Sequence, residues 1–177
     1  MDIFVLQLRR LLLDYAQDDL YAEWNALYSA LTPIHCAAGQ RLVSNRGDIC
    51  FLAKGVLLKT QLETITRIIQ ADQLIFVPLQ SNAIYFHALV PCQLLVLSRE
   101  ELYRIIEVFP RVVRVYDSLL DVWHVQSNER LLLLEMKQKS ARIALFKQLH
   151  KEACPYMARK DIANYIAVSE EYLRKNF

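Results

Sequence analysis

The sequence predicts an α+β fold: an antiparallel roll or small barrel flanked by helices, then a long helix, then a terminal helix-turn-helix. Three observations carry that expectation. The 177-residue chain holds only three glycines, Gly39, Gly47 and Gly55, and their clustering marks one turn-rich zone with helices elsewhere. Apolar spacing changes from helical to strand-like after Pro33 and back again at Ser98. Residues 158–177 read as two short helices joined by a tight corner.

Residues 2–31 carry a helical pattern, with Leu8, Leu11, Leu12 and Tyr15 on one face. Trp24, Leu27, Tyr28 and Leu31 fall on a second short helix that Pro33 ends. From Ile34 onward, Ile34, Cys36, Leu42, Val43, Ile49, Phe51, Leu52, Val56 and Leu58 read as short strands, punctuated at 38–39, 45–48 and 54–55. Further strands are expected at Thr64–Gln70, 74–77 and 83–97, the last broken at Pro91. Hairpins at this density close into a roll or barrel.

Ser98 and Glu101 have capping-box spacing and open a helix that runs to about Phe109. Pro110 starts a longer helix over 110–138. Along it Val112, Tyr116, Leu119, Trp123, Gln126, Arg130 and Leu133 recur every three or four residues, the spacing of a coiled-coil seam and hence of a dimerisation helix. Residues 131–134 widen the apolar stripe, so part of this helix is expected against the strands. A polar break at 137–139 precedes Ala141, Leu145, Phe146 and Leu149, which begin a terminal helical module. The chain thus divides at 1–109, 110–138 and 139–177.

A 54% hydrophobic and 23% charged composition describes a compact globular protein. Cys36, Cys50, Cys92 and Cys154 have no CxxC spacing and sit in apolar settings, so buried reduced thiols are expected in place of a zinc or iron–sulfur site. His35, His87, His124 and His150 are too scattered for a metal centre, and no nucleophile–His signature or Gly-rich phosphate loop is visible. No enzyme activity, metal or cofactor is expected. No run is apolar and long enough to span a membrane and no signal peptide is evident, so a cytoplasmic protein without a membrane partner is expected.

Charge is unevenly spread. Residues 1–136 hold 12 Lys+Arg against 15 Asp+Glu (−3), and residues 137–177 hold 9 against 4 (+5), which sums to the chain's +2. A basic terminal module on an acidic body fits polyanion binding. Within that module Ile162, Ala163 and Ile166 share one helix face, and residues 167–168 make the corner. Ser169 can N-cap the second helix, with Glu170 and Glu171 at its positive end. Leu173 and Phe177 bury one face, with Arg174 and Lys175 between them. Such a second helix can enter the DNA major groove.

The order of elements, with three stretches, resembles the Crp/Fnr (catabolite activator) family of transcription factors. The stretches are Ala38-Gly-Gln-Arg-Leu42 with Gly47-Asp-Ile-Cys-Phe-Leu-Ala-Lys-Gly-Val56; Cys92-Gln-Leu-Leu-Val-Leu-Ser-Arg-Glu-Glu-Leu102; and Arg159-Lys-Asp-Ile-Ala-Asn-Tyr-Ile-Ala-Val-Ser-Glu-Glu-Tyr-Leu-Arg-Lys175. The resemblance implies a cyclic-nucleotide-binding-like β-roll of the double-stranded β-helix type over 1–109, a dimerisation helix over 110–138, and a truncated winged helix over 139–177. It implies a homodimer that binds a palindromic operator in double-stranded DNA and works with RNA polymerase. By the resemblance, Glu170, Glu171 and Lys175 face base edges, Ser169 meets a phosphate, and Arg159, Lys160 and Arg174 meet the DNA backbone.

The chain also departs from that family. Members that bind cyclic AMP carry a Gly-Glu pair followed by an Arg about ten residues later. Ungapped counting back from Cys92 puts the pair at Ala71-Asp72 and the Arg at Asn82, and no Lys or Arg lies between Arg67 and Arg99. A phosphate buried there meets Asp72 and no cation, which is costly. This degenerate pocket is expected to refuse cyclic nucleotides and either to take a more apolar small-molecule effector or to be filled. The chain stops where the family's wing begins, which predicts fewer phosphate contacts. A sensor or adaptor of the same fold without DNA binding is the alternative expectation.

Overall fold

The computed structural model describes residues 21–80 and 83–177. The helical pattern before residue 21, and Asn82, lie outside the described residues.

Helix α1 (Tyr21–Ala30) leads into seven strands: β1 (Thr32–Cys36), β2 (Ile49–Lys54), β3 (Val56–Gln61), β4 (Thr64–Gln70), β5 (Gln73–Phe76), β6 (Ile84–Ala88) and β7 (Cys92–Leu97). They form two antiparallel sheets, ordered β1-β7-β2-β5 and β4-β3-β6. Pro33 lies inside β1 instead of at the helix end. Proline is tolerated there because β1 is an edge strand. Arg41 makes only an isolated bridge to His87, so the strand expected around Leu42 and Val43 does not form.

The two sheets face each other across an apolar interior. Cys36, Cys50, Leu52, Ile75, Cys92 and Leu94 come from the first sheet, and Leu57, Ile69, Phe86 and Ala88 from the second. The outer face of the first sheet carries Ile49, Phe51, Leu74, Leu95 and Leu97. These pack under α1, α2 (Arg99–Val108) and α3 (Val112–Ser127). The outer face of the second sheet offers Val56 and Ile68 to the terminal helices. Strand alternation therefore makes three cores from two sheets. Gly55, at φ 103°, joins β2 to β3, and a Cβ there would lie 2.6 Å from the Pro91 carbonyl oxygen. Only glycine fits that corner. The Ser98 hydroxyl caps α2 by accepting from the Glu101 N–H at 3.2 Å, while the Glu101 carboxylate turns to Arg104 instead of closing a reciprocal box.

The long helix expected over 110–138 is two helices. Helix α3 ends at Ser127 and α4 spans Glu129–Glu135, with Asn128 between them. The two halves serve different cores. Val112, Val115, Leu119 and Val122 pack on the first sheet, whereas Leu133 enters the terminal module's core. The stripe read as a dimer seam mostly points into the chain. Val112, Leu119 and Leu133 are buried, and Tyr116 and Trp123 are half-buried around Phe76. The Gln126 amide accepts from the Leu74 N–H and donates to the Asp72 carbonyl, and Arg130 Nε donates to the Tyr165 carbonyl. An intramolecular core helix and a coiled-coil seam have the same apolar spacing, which is why the pattern did not separate them.

Candidate nucleic-acid interface

The terminal module comprises α5 (Lys139–Leu149), α6 (Arg159–Tyr165) and α7 (Glu170–Asn176). Its core joins Ile143, Phe146, Ala153, Ile162, Tyr165, Ile166 and Leu173 to Val56 and Ile68 of the roll. The module is thus seated on the second sheet. The Tyr165 hydroxyl hydrogen-bonds the main chain of Ile68, and burial pushes its pKa up to about 12. Gln70 Nε2 donates to the Leu149 carbonyl at 2.7 Å, a second tie between roll and module.

The corner between α6 and α7 has a defined geometry. Ala167 sits at φ 53°, in the left-handed region. The Val168 N–H donates to the Ala163 carbonyl and the Ala167 N–H to the Asn164 carbonyl, the paired bonds of a Schellman ending. The β-carbon of Ala167 crowds the backbone at this positive φ, a strain that only glycine escapes. Arg142, which sequence reasoning missed, reaches over from α5. Its Nη1 donates to the carbonyls of Ile166 and Ala167, and its Nε to that of Met136. With Arg130 on the Tyr165 carbonyl, two guanidiniums satisfy the unpaired carbonyl end of α6. Arginine at i−24 from the corner leaves no local sequence signal.

Helix α7 begins at Ser169, whose hydroxyl accepts from the Tyr172 N–H at 3.2 Å. Leu173 is fully buried and anchors the helix. Phe177, expected to bury the same face, is 38% exposed, with the Lys147 ammonium 4.3 Å from its ring centre. The opposite face presents Glu170, Glu171, Arg174 and Lys175, all exposed. Lys175 Nζ lies 2.7 Å from Glu171 Oε1, one helical turn away. Arg159 and Lys160 are exposed at the start of α6. Lys139, Lys147 and Lys151 are exposed too, so seven of the module's eight Lys and Arg face solvent, Arg142 being the exception, and Lys137 just before it is exposed as well.

Two of the three residues that the sequence count assigned to the phosphate pocket, Ala71 and Asp72, are described. Ala71 and Asp72 make the tight turn between β4 and β5, with Asp72 exposed at φ 66°. Partial desolvation of its carboxyl, with Glu152 nearby, raises the Asp72 pKa. Apolar side chains from both sheets pack together in the roll's interior. The cations on the inward side of the second sheet are Lys59 and Arg67, which precede the stretch found empty of cations.

No family model matches this sequence, and no curated protein matches it. Solved structures do. FixK2 from Bradyrhizobium japonicum is 14% identical with a TM-score of 0.65 over 82% of each chain. A protein described as a Crp/Fnr-family transcriptional regulator from Eubacterium rectale is 12% identical with a TM-score of 0.66, covering 92% of this chain and 85% of the other. The c-di-GMP responsive global regulator CLP of Xanthomonas campestris is 11% identical with a TM-score of 0.60 over 88% of each chain. At these identities the likeness is one of fold, and the fold is Crp/Fnr-like.

Proposed function

We propose that this chain is a dimeric, sequence-specific DNA-binding regulator of transcription. The observation that carries the reading is α7: its polar face is wholly exposed, its apolar face is locked by Leu173, and its entry is fixed by the Ala167 corner. Arg174 and Lys175 are exposed on α7 itself, and Lys139 and Lys147 lie against its Tyr172 and Phe177 rings, so cations are at hand for a phosphate backbone. The fold neighbours from Eubacterium rectale and Xanthomonas campestris are described as regulators, which supports the same direction.

In this reading residues 139–177 form the DNA-binding unit, 110–138 join it to the roll, and the roll serves as sensor. Arg159, Lys160 and Arg174 contact phosphates and fix register, with Ser169 beside them. Lys175 leaves Glu171 to donate to guanine O6 and N7, which frees Glu171 to accept from cytosine N4. The dimer face is the exposed apolar edge of α3 and α4: Val113, Val125, Leu131 and Leu132. Two copies then set their recognition helices about 34 Å apart on a palindrome. Contact with RNA polymerase would follow from bound DNA.

One observation favours an adaptor without DNA: Glu170 and Glu171 put two acids on the face that approaches phosphate. Selection from a random DNA pool with the purified dimer separates the readings. Enrichment of a palindrome, lost on Lys175→Ala, is the expected result. A folded dimer that enriches nothing at low and moderate salt sinks the DNA reading. Leu132→Asp is expected to give a folded monomer by sedimentation and to abolish enrichment.

A further inference from the structure

Cys36 ends β1 and Cys92 opens β7, and the two stand directly opposite each other in the antiparallel register. Residues so paired point to the same face, with Cα atoms about 4.5 or 5.5 Å apart according to their place in the ladder. Both spacings lie within the roughly 4.4–6.8 Å that a disulfide spans. The two thiols are free, and both side chains belong to the roll's interior. They converge on one corner of it. Cys92 Sγ lies 3.3 and 3.1 Å from the carbonyl oxygens of Val56 and Val90. Cys36 Sγ donates to the Gln40 carbonyl at 3.5 Å and hydrogen-bonds the main chain of Ala88. The other thiols stand elsewhere. Cys50 is opposite Val96 and Ile75. Val96 is four residues along β7 from Cys92, about 13 Å at the rise of a strand. Cys154 packs in the terminal module.

Burial raises both pKa values, that of Cys92 to about 11, so the closed structure holds two neutral, protected thiols at neutral pH. Access comes from the edge. Strand β1 has a neighbour on one side only and carries Pro33, and residues 37–41 beyond Cys36 are all exposed. Such an edge opens locally at less than the free energy of global unfolding. An oxidant little larger than water then reaches Cys36.

We propose that Cys36 and Cys92 form a reversible cross-strand disulfide on exposure to hydrogen peroxide, so that the β1–β7 seam is an oxidative modification site. The Cys36 sulfur attacks one peroxide oxygen, the O–O bond breaks, and Cys36 sulfenic acid and one water result. The Cys92 sulfur then attacks the Cys36 sulfur. The S–S bond forms, the S–O bond breaks, and the oxygen leaves with the Cys92 proton as a second water. Two thiols lose two electrons and one peroxide becomes two waters. Cβ atoms across a ladder are about 4.5–5.5 Å apart against roughly 3.5–4.5 Å in a relaxed disulfide, so closure draws the strands together and strains the bond. A strained disulfide has a more oxidising potential and yields to glutathione. Closure also draws Cys92 Sγ away from the Val56 carbonyl, and the Val56 side chain packs in the core of the terminal module. None of this chemistry requires DNA binding.

Peroxide treatment of the folded full chain, alkylation in denaturant and non-reducing peptide mass spectrometry test it. The peptides holding Cys36 and Cys92 are expected joined and lighter by two hydrogens, with Cys50 alkylated as a free thiol. Glutathione is expected to return both cysteines to the alkylated form. Cys92→Ala removes the resolving thiol, and its Cys36 is expected to stop at a sulfenic acid that dimedone traps. Free Cys36 and Cys92 after peroxide, a bond to Cys50 instead, or a disulfide that glutathione leaves intact would each overturn the proposal. The parent chain alone gives these three readings, so a poorly folding variant does not decide the matter.

Discussion

The Arg142 guanidinium donates to the main-chain carbonyl of Ala167 at 3.2 Å, tying α5 to the residue on which the helix-turn-helix corner turns. The same side chain holds Ile166 and Met136, so it joins the end of α4, the body of α5 and the corner. Arg142→Met keeps the aliphatic stem but strands three carbonyls. Charge-assisted hydrogen bonds of this kind are worth about 1.5–3 kcal/mol each way of counting. A loss of about 2 kcal/mol in urea unfolding is expected, together with weaker DNA binding although Arg142 faces no DNA. Unchanged DNA affinity in a folded variant would show that the corner is held without it.

Ala167 itself is strained at φ 53°. The left-handed conformation costs an L-residue about 1–2 kcal/mol, and glycine escapes that cost while losing about 0.5–1 kcal/mol to unfolded-state entropy. Ala167→Gly is therefore expected to stabilise the protein by about 0.5–1 kcal/mol in thermal or urea unfolding. A destabilised variant would mean that the Ala167 methyl makes packing contacts that outweigh the strain.

The β3–β4 hairpin turns on Leu62 and Glu63, at φ 47° and 64°, with Leu62 76% exposed. Two-residue hairpins of this hand favour Asn-Gly. The double variant Leu62→Asn, Glu63→Gly is expected to raise stability by about 1 kcal/mol and to leave the register Gln61 to Thr64 intact. A lowered melting temperature would count against it.

That hairpin also shows where the sequence is mute. Strand β2, the Ser98 cap and the Ala167 corner are legible because each has a local signal: an apolar run between turn residues, a capping hydroxyl, a small residue between two apolar helix faces. Leu62-Glu63 has no turn former, so nothing local marks it. The pairing of Lys59 with Arg67 depends on strand register, and Arg142 reaches its carbonyls from 24 and 25 residues away. The direction of the α3 stripe depends on which surface buries it. These are tertiary facts, and periodicity carries no information about them.

His150 is fully buried at the end of α5, tilted against Phe146 and edge-on to Tyr165 with ring centres 5.2 and 5.6 Å away. Neither ring nitrogen has a hydrogen-bond partner. Burial lowers its pKa from 6.5 to about 4, so the folded protein holds the neutral ring and refuses a proton that the unfolded chain accepts. The stability linked to this refusal is complete above pH 6.5 and is lost as pH falls towards about 4. At 1.36 kcal/mol per pKa unit, the full loss amounts to about 3 kcal/mol. His150→Leu removes the titrating group and two orphaned nitrogens at little change in volume, so at neutral pH its stability is expected within about 1 kcal/mol of the parent or above it. Urea unfolding of both proteins between pH 7.5 and 4 checks the sign, because every other titrating group is shared and cancels in the difference. The variant is expected to gain on the parent steadily below pH 6.5. Parallel curves would mean that the folded protein protonates His150 as readily as the unfolded chain does, and that the terminal module opens at that residue.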